Sequence, residues 1–113
     1  MMFPLFRIHG HSMEPAGREG DIVFVHLLSY LFSHPKTGDL VVAEHPLHSL
    51  SLLKRIAKVR RRNKELEYWI LGDNAFDSQD SRTFGWIQRR KILGKAYIIT
   101  SLNSPKLSTR QQP

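Results

Sequence analysis

Apolar and polar residues alternate along much of the chain with a period of two. That spacing sends successive side chains to opposite faces of a β-strand. Phe6-Arg7-Ile8-His9 shows it first and ends at Gly10. Asp21-Ile22-Val23-Phe24-Val25 is rich in the β-branched and aromatic residues that strands favour. Leu40-Val41-Val42-Ala43 is a further clear strand, closed by Pro46. In Leu52-Leu53-Lys54-Arg55-Ile56-Ala57-Lys58-Val59 the period puts Lys54 and Ile56 on one face and Leu53, Arg55, Ala57 and Val59 on the other. Leu66-Glu67-Tyr68-Trp69-Ile70-Leu71 is predicted to pair with it as a hairpin, across a charged turn from Arg60 to Lys64 that contains Asn63. Ile92 to Thr100 supplies a last strand, with Gly94 marking a bulge or bend.

The intervening segments carry turn chemistry. His11 to Gly20 and Gly72 to Gly85 read as polar loops, and His34 to Asp39 as a turn cluster. Leu27 to Phe32 fits either a short helical turn or an extended flap. No segment keeps a helical period over three turns. The pattern predicts one all-β domain over residues 1–102, a compact barrel or packed sheets with short loops, followed by a disordered tail at 103–113.

Composition then works mostly by exclusion. A chain of 113 residues holds one domain with a single small core. The absence of cysteine excludes disulfides, thiolate catalysis and cysteine zinc sites. No run approaches the roughly 18 apolar residues that span a bilayer, and Met1 to Phe6 is too short for a signal peptide and lacks a basic leader. A cytoplasmic location is therefore expected, with peripheral membrane contact through Met1 to Phe6 and Leu27 to Phe32 as the alternative. The formal charge of +7 is uneven: residues 1–50 carry three Lys/Arg against five Asp/Glu, and residues 51–113 carry fourteen against five. A basic half attracts nucleic acid, anionic headgroups or acidic polypeptide without choosing among them. The run Lys58 to Lys64 contains no aromatic to stack a base, so a nucleic-acid-binding module stands as the non-enzyme alternative and no nucleic-acid partner is expected.

Candidate chemistry begins at Gly10-His11-Ser12-Met13-Glu14-Pro15. A serine after a strand and a glycine, with a proline three residues on, can present a hydroxyl and its own backbone N–H at one point. A nucleophile needs both, one to attack and one to receive the oxyanion. A serine in an ordinary polar turn has the same surroundings. Activation requires a base, and the six histidines show no ligand or triad spacing. Lys54 is the other candidate, because Leu52, Leu53 and Ile56 flank it. A free amine with pKa near ~10.4 is neutral about once in 2,500 molecules at pH 7; burial disfavours the charged form and raises that fraction. Lys54 on a solvated strand edge is the plainer reading. Gly72 to Gly85 adds Asp73, Asn74, Ser78, Asp80 and Arg82, groups that bind backbone and one another in any structural loop.

Taken together these segments resemble type I signal peptidases. Gly10 to Pro15 is similar to their nucleophile motif, Gly38-Asp39-Leu40-Val41-Val42 to their Gly-Asp strand, and Lys54-Arg55-Ile56 to their lysine strand. Gly72-Asp73-Asn74 followed by Ser78-Gln79-Asp80-Ser81-Arg82-Thr83-Phe84-Gly85 is similar to their last box. The likeness implies an all-β serine endopeptidase without metal or cofactor, related in fold to LexA-like self-cleaving proteins. Ser12 is then the nucleophile and contributes an oxyanion N–H, and neutral Lys54 is the general base. Ser78 orients the amine, Asp80 and Arg82 brace the site, and Asp73 and Asn74 shape the loop. The implied partner is a polypeptide precursor bound in extended form near its N-terminus. Three departures stand out: Gly10 replaces a serine that some members use as an oxyanion donor; Lys58-Val59-Arg60-Arg61-Arg62 replaces a Pro-Gly-Asp turn and insertion; and no transmembrane anchor is present in the sequence. The small, anchorless pattern is similar to the proteases that mature nickel-type superoxide dismutase, which implies removal of a short N-terminal extension.

Overall fold

The computed structural model describes residues 5–76 and 78–99. The expected tail at 103–113 and the end of the last strand at Thr100 lie outside the described residues. Seven strands form one antiparallel sheet: β1 (Leu5–Arg7), β2 (Ile22–His26), β3 (Leu40–Glu44), β4 (Ser51–Arg62), β5 (Glu65–Leu71), β6 (Ile87–Gln88) and β7 (Ile92–Ile99). Their spatial order is β1-β2-β7-β3-β4-β5-β6. The all-β expectation holds. The loop predicted at Gly72 to Gly85 also contains a one-turn helix, α1 (Ser81–Phe84), and a 3₁₀ turn at Arg89–Lys91 precedes β7. The two-residue strand β6 is too short to leave a periodic signal in the sequence.

Each face of the sheet carries its own core. Tyr30, Val41, Ala43, Ile56, Tyr68, Ile70, Ile87 and Ile92 pack on one face, and Ile8, Val23, Val25, Val42 and Ala96 on the other. β3 contributes to both, which is why Leu40 to Ala43 reads as an unbroken apolar run rather than an alternation. Each fully buried Ile or Val stabilises the fold by about 1.5–3 kcal/mol. Gly94 sits opposite Val42, where the β3–β7 register shifts, as the sequence suggested.

β4 and β5 form the expected hairpin, but Arg60, Arg61 and Arg62 belong to the strand and not to its turn. The strand continues to Arg62, and only Asn63 and Lys64 make the turn, with φ of 52° and 69°. Two consecutive left-handed residues are the geometry of the tight hairpin turn whose twist matches the strands. A second difference lies at Ala57. The β4–β5 register slips there, so that Ile56 faces Ile70 while Lys58 faces Trp69 and Val59 faces Tyr68. The extra residue is a β-bulge, and it inverts the alternation beyond it. Val59 therefore falls on the Tyr68 side, not on the side of Leu53 and Arg55 that a strict period of two assigns.

Candidate active site

The site forms where β4 parts from β5. Pairing between them ends at Arg55 and Leu71, so Lys54, one residue earlier, lies beyond the β4–β5 ladder and pairs with β3 opposite Val41. The chain after β5 turns away at Gly72 and meets the loop that follows β1. Asn74 N–H donates to Ser12 O at 2.8 Å, Asn74 Nδ2 to His11 O at 3.0 Å, and Asp73 N–H to the sulfur of buried Met13 at 3.4 Å. These contacts span about sixty residues of sequence, and they fix Ser12 against the mouth of the β4–β5 gap.

Lys54 and Ser12 meet there. Lys54 Nζ lies 2.9 Å from Ser12 Oγ, and Lys54 is only 4% exposed, on the same face as Leu52 and Ile56. Burial penalises an ammonium more than a neutral amine. The pair opens onto a cavity of about 470 Å³ whose walls include Phe6, Ile8, Met13, Val42, Leu52 and Leu53. This cleft separates the β1 end of the sheet from the first residues of β4, which have no β5 partner on that side.

Asp80 holds the remainder together. It caps α1, accepting from Arg82 N–H at 3.1 Å, and its two oxygens accept from the Arg82 guanidinium at 3.0 and 2.6 Å. Oδ2 also accepts from Gly72 N–H and from the Ser78 hydroxyl, each at 2.8 Å. Burial pushes the Asp80 carboxyl up, but the bonds from Arg82, Gly72 and Ser78 outweigh it and leave the group well below the usual carboxylate range. Ser81 Oγ accepts from Ile70 N–H at 2.8 Å. The pair Asp80-Ser81 thus satisfies the backbone donors at the end of β5 that no neighbouring strand reaches.

Gly72 sets the spacing. A Cβ placed there would fall 2.6 Å from Ser78 Cβ and 2.8 Å from Ser12 O, and closer still to Ser78 Oγ. Ser78 and the Ser12 carbonyl therefore both occupy the space a side chain at position 72 would need, and only glycine lets the backbone pass. Every residue that the sequence assigned to the site except Arg82 is within one bonded or packed step of Ser12 or Gly72, and Arg82 reaches it through Asp80.

Three contributors were not read from the sequence. Glu19 accepts from Gly10 N–H, two residues before Ser12. Gly10 has φ of 88°, a conformation that disfavours the serine found there in some relatives of the motif. Arg55 binds both Asp73 oxygens, at 3.0 and 2.8 Å, and Gly38 O at 3.2 Å, tying the last loop to the Gly38-Asp39 turn. The basic run Lys58 to Lys64 does meet aromatics, supplied by β5 and by the residue before β6: Lys58 lies over Trp69 and Trp86, and Arg60 over Trp86 at 4.3 Å. Four of the six histidines have other neighbours: His11 contacts Glu14 at 2.7 Å, His9 contacts Glu19, and buried His45 stacks with His48 and Phe84. Among the described residues, no three His, Asp or Glu side chains converge on a metal-sized point.

Comparison with known proteins agrees with this geometry. The family model described as signal peptidase, peptidase S26, matches residues 1–66 and 58–101. Mitochondrial inner membrane protease subunit 1 of Mus musculus is 32% identical over 106 residues, covering 79% of this chain and 64% of the relative. The mitochondrial ATP-independent inner membrane protease subunit 1a of Arabidopsis thaliana is 31% identical over 111 residues, covering 80% and 66%. Signal peptidase I of Aquifex aeolicus (strain VF5) is 50% identical over 32 residues, 28% of this chain and 12% of that protein. The chain thus spans just under two thirds of the length of the mouse and Arabidopsis relatives. With the motif order, the all-β sheet and the matched length in agreement, the chain belongs to the signal peptidase, peptidase S26, family.

Proposed function

We propose that the chain is a serine endopeptidase in which Ser12 and Lys54 form the catalytic dyad, and that it removes an N-terminal extension from a polypeptide precursor. The 2.9 Å approach of a buried amine to a hydroxyl beside an apolar cleft carries this reading. In it, neutral Lys54 takes the Ser12 proton as Oγ attacks the scissile carbonyl carbon. The oxyanion is received by backbone donors including the Ser12 N–H. The C–N bond breaks, the departing amine takes the proton from Lys54, and an ester to Ser12 remains. Water, deprotonated by Lys54, then attacks that ester; the acyl–Oγ bond breaks, Ser12 Oγ takes the proton back from Lys54, and the leader leaves with a free carboxyl end. Ser78, fixed by Asp80, stands next to the Ser12 loop to orient the amine. The substrate lies extended along the cleft, beside the start of β4 at residues 51–53, which lies beyond the end of the β4–β5 ladder.

Among precursors, the compact motif pattern points to a nickel-type superoxide dismutase with a short N-terminal extension, met in the cytoplasm. A second reading, precursors of exported or membrane proteins, is favoured by the names of the relatives, which are inner membrane proteases and a signal peptidase. Incubation with each precursor, followed by mass spectrometry of the new N-terminus, separates the two. The rate is expected to rise with pH and level off once the Lys54 amine is neutral. No new N-terminus on either substrate, or a Ser12→Ala variant that cleaves at the wild-type rate, would refute the peptidase reading.

A further inference from the structure

The loop that carries Ser12 is held differently on its two sides. Downstream, Met13 is buried, Gly17 N–H donates to Met13 O at 2.9 Å, and Asn74 bonds the carbonyls of His11 and Ser12. Upstream stands Gly10, with φ of 88° and open space where a side chain would begin. Glycine rotates more freely than any other residue. Two residues before Ser12, that freedom would let the hydroxyl and the backbone N–H swing together.

Glu19 removes it. The β1–β2 ladder ends at Arg7 opposite Ile22. Two further bonds prolong it, from Ile8 N–H to Asp21 O and from Gly20 N–H to Ile8 O, each at 2.8 Å. The next rung is a side chain, because Glu19 Oε1 accepts from Gly10 N–H. The carboxylate is carried on a fixed turn. Asp21 N–H donates to Arg18 O at 2.9 Å, the Asp21 carboxylate, 5% exposed, accepts from Arg18 N–H at 3.1 Å, and Arg7 Nη1 donates to Gly20 O at 2.9 Å. The other Glu19 oxygen lies 3.7 Å from the His9 ring, in a contact open to water on both sides that contributes little. The bond to the amide is the strong one, since a charged acceptor makes it roughly twice as strong as a neutral one would.

We propose that Glu19 is a positioning residue for the reaction at Ser12: by clamping the Gly10 amide it holds the Ser12 hydroxyl and backbone N–H in the orientation that Lys54 and the scissile carbonyl require. The proposal rests on the peptidase reading of Ser12 and Lys54. Glu19 touches neither of them and acts through Gly10 and the two peptide units that follow. It does not line the cleft, so its loss falls on turnover and not on substrate binding. Lys54 Nζ and Ser12 Oγ are 2.9 Å apart, and a displacement of about 1 Å between reacting groups costs on the order of 100-fold in rate.

The test is steady-state kinetics of the full chain on whichever of the two precursors it cleaves, with the new N-terminus read by mass spectrometry. Glu19→Ala should lower kcat by roughly 10- to 100-fold and leave KM within about twofold of the wild type. Glu19→Gln keeps a neutral acceptor at the same reach and should recover most of that loss. Glu65→Ala, at an exposed carboxylate of the hairpin end, should behave as the wild type. The clamp also has a readout that needs no substrate. In NMR spectra the Gly10 amide proton should lie well downfield in the wild type, move upfield in Glu19→Ala, and fall between the two in Glu19→Gln. Urea titration reports whether each variant folds, and Glu19→Asp, one methylene short of the amide with the charge kept, carries the same test if the alanine variant does not. A folded Glu19 variant with wild-type kcat overturns the proposal. So does a loss confined to KM, a glutamine variant no better than alanine, or a Gly10 resonance that does not move. A wild-type chain that cleaves neither precursor refutes the peptidase reading and this proposal with it, whereas a cleaving wild type with an equally active alanine variant refutes the role of Glu19 alone.

Discussion

The two halves of β4 are made of the same kinds of residue and do different things. Before the bulge, Lys54 sits between Leu52 and Ile56, hidden from water, with its amine on a serine hydroxyl. Beyond it, Lys58 is exposed and lies 5.1 Å from the centre of the Trp69 ring. In an unbroken strand Lys54, Ile56 and Lys58 would share a face, and the second ammonium would point into the core. The slip at Ala57 turns Lys58 outward. One inserted residue thus separates a lysine buried against Ser12 from a lysine packed on the surface. Where a neighbouring strand ends, and where register shifts, decides what a side chain does.

The strongest way to break this contrast is to make the same substitution on each side of the bulge. Lys54→Met should lower cleavage by roughly 10⁴-fold, and Ser12→Ala by a similar factor, since members of such a unit fail together. Both variants should keep the fold, because methionine fills the space of the lysine stem and alanine leaves the backbone contacts of Ser12 in place. A next effect is expected at Gly72, where the end of β5 passes the Ser12 loop. Gly72→Ala forces Ser78 and Ser12 apart, and should cost about 1–3 kcal/mol in a urea titration together with most of the cleavage.

Asp80→Asn sharpens the comparison through pH. The wild-type carboxyl is held well below the ordinary carboxylate range by its bonds, after those bonds have overcome the effect of burial. Its stabilisation is therefore complete above the titration of an unfolded aspartate, about pH 4, and fades as the pH falls further toward the lowered folded value. The urea midpoint of the wild type should drop across that acid range, while that of Asp80→Asn should be lower at neutral pH and flatter in acid. The smallest effect belongs to Lys58→Met: unchanged cleavage and a stability loss within about 1 kcal/mol, as a partly wetted cation on a tryptophan contributes little.

Much of this was legible before any coordinates. The strands at Ile22, Leu40, Leu52, Leu66 and Ile92 follow from alternation and β-branched composition, because sheet faces impose a period that the sequence must obey. Ser12 and Lys54 were paired by resemblance to a motif order; residue chemistry alone left both open to plain structural readings. What stayed hidden was long-range or irregular. Glu19 on the Gly10 N–H and Arg55 on Asp73 join segments whose spacing carries no signal. The bulge at Ala57 has no marker, since no glycine or proline stands there to signal a break in the strand. The aromatics beside the basic run were missed because Trp69 and Trp86 reach Lys58 and Arg60 across the sheet and not along the chain.

The turn at Asn63 and Lys64 has a use that lies apart from catalysis. It stands nine strand positions from Lys54, roughly 30 Å at the rise of an extended chain, and the slipped register lies in between. Foreign sequence spliced between those two residues would therefore be carried at arm's length from the reacting atoms. An epitope, a fluorophore or a second folded module could be grafted there, making the hairpin tip a handle by which the molecule can be labelled or tethered while its cleft stays open.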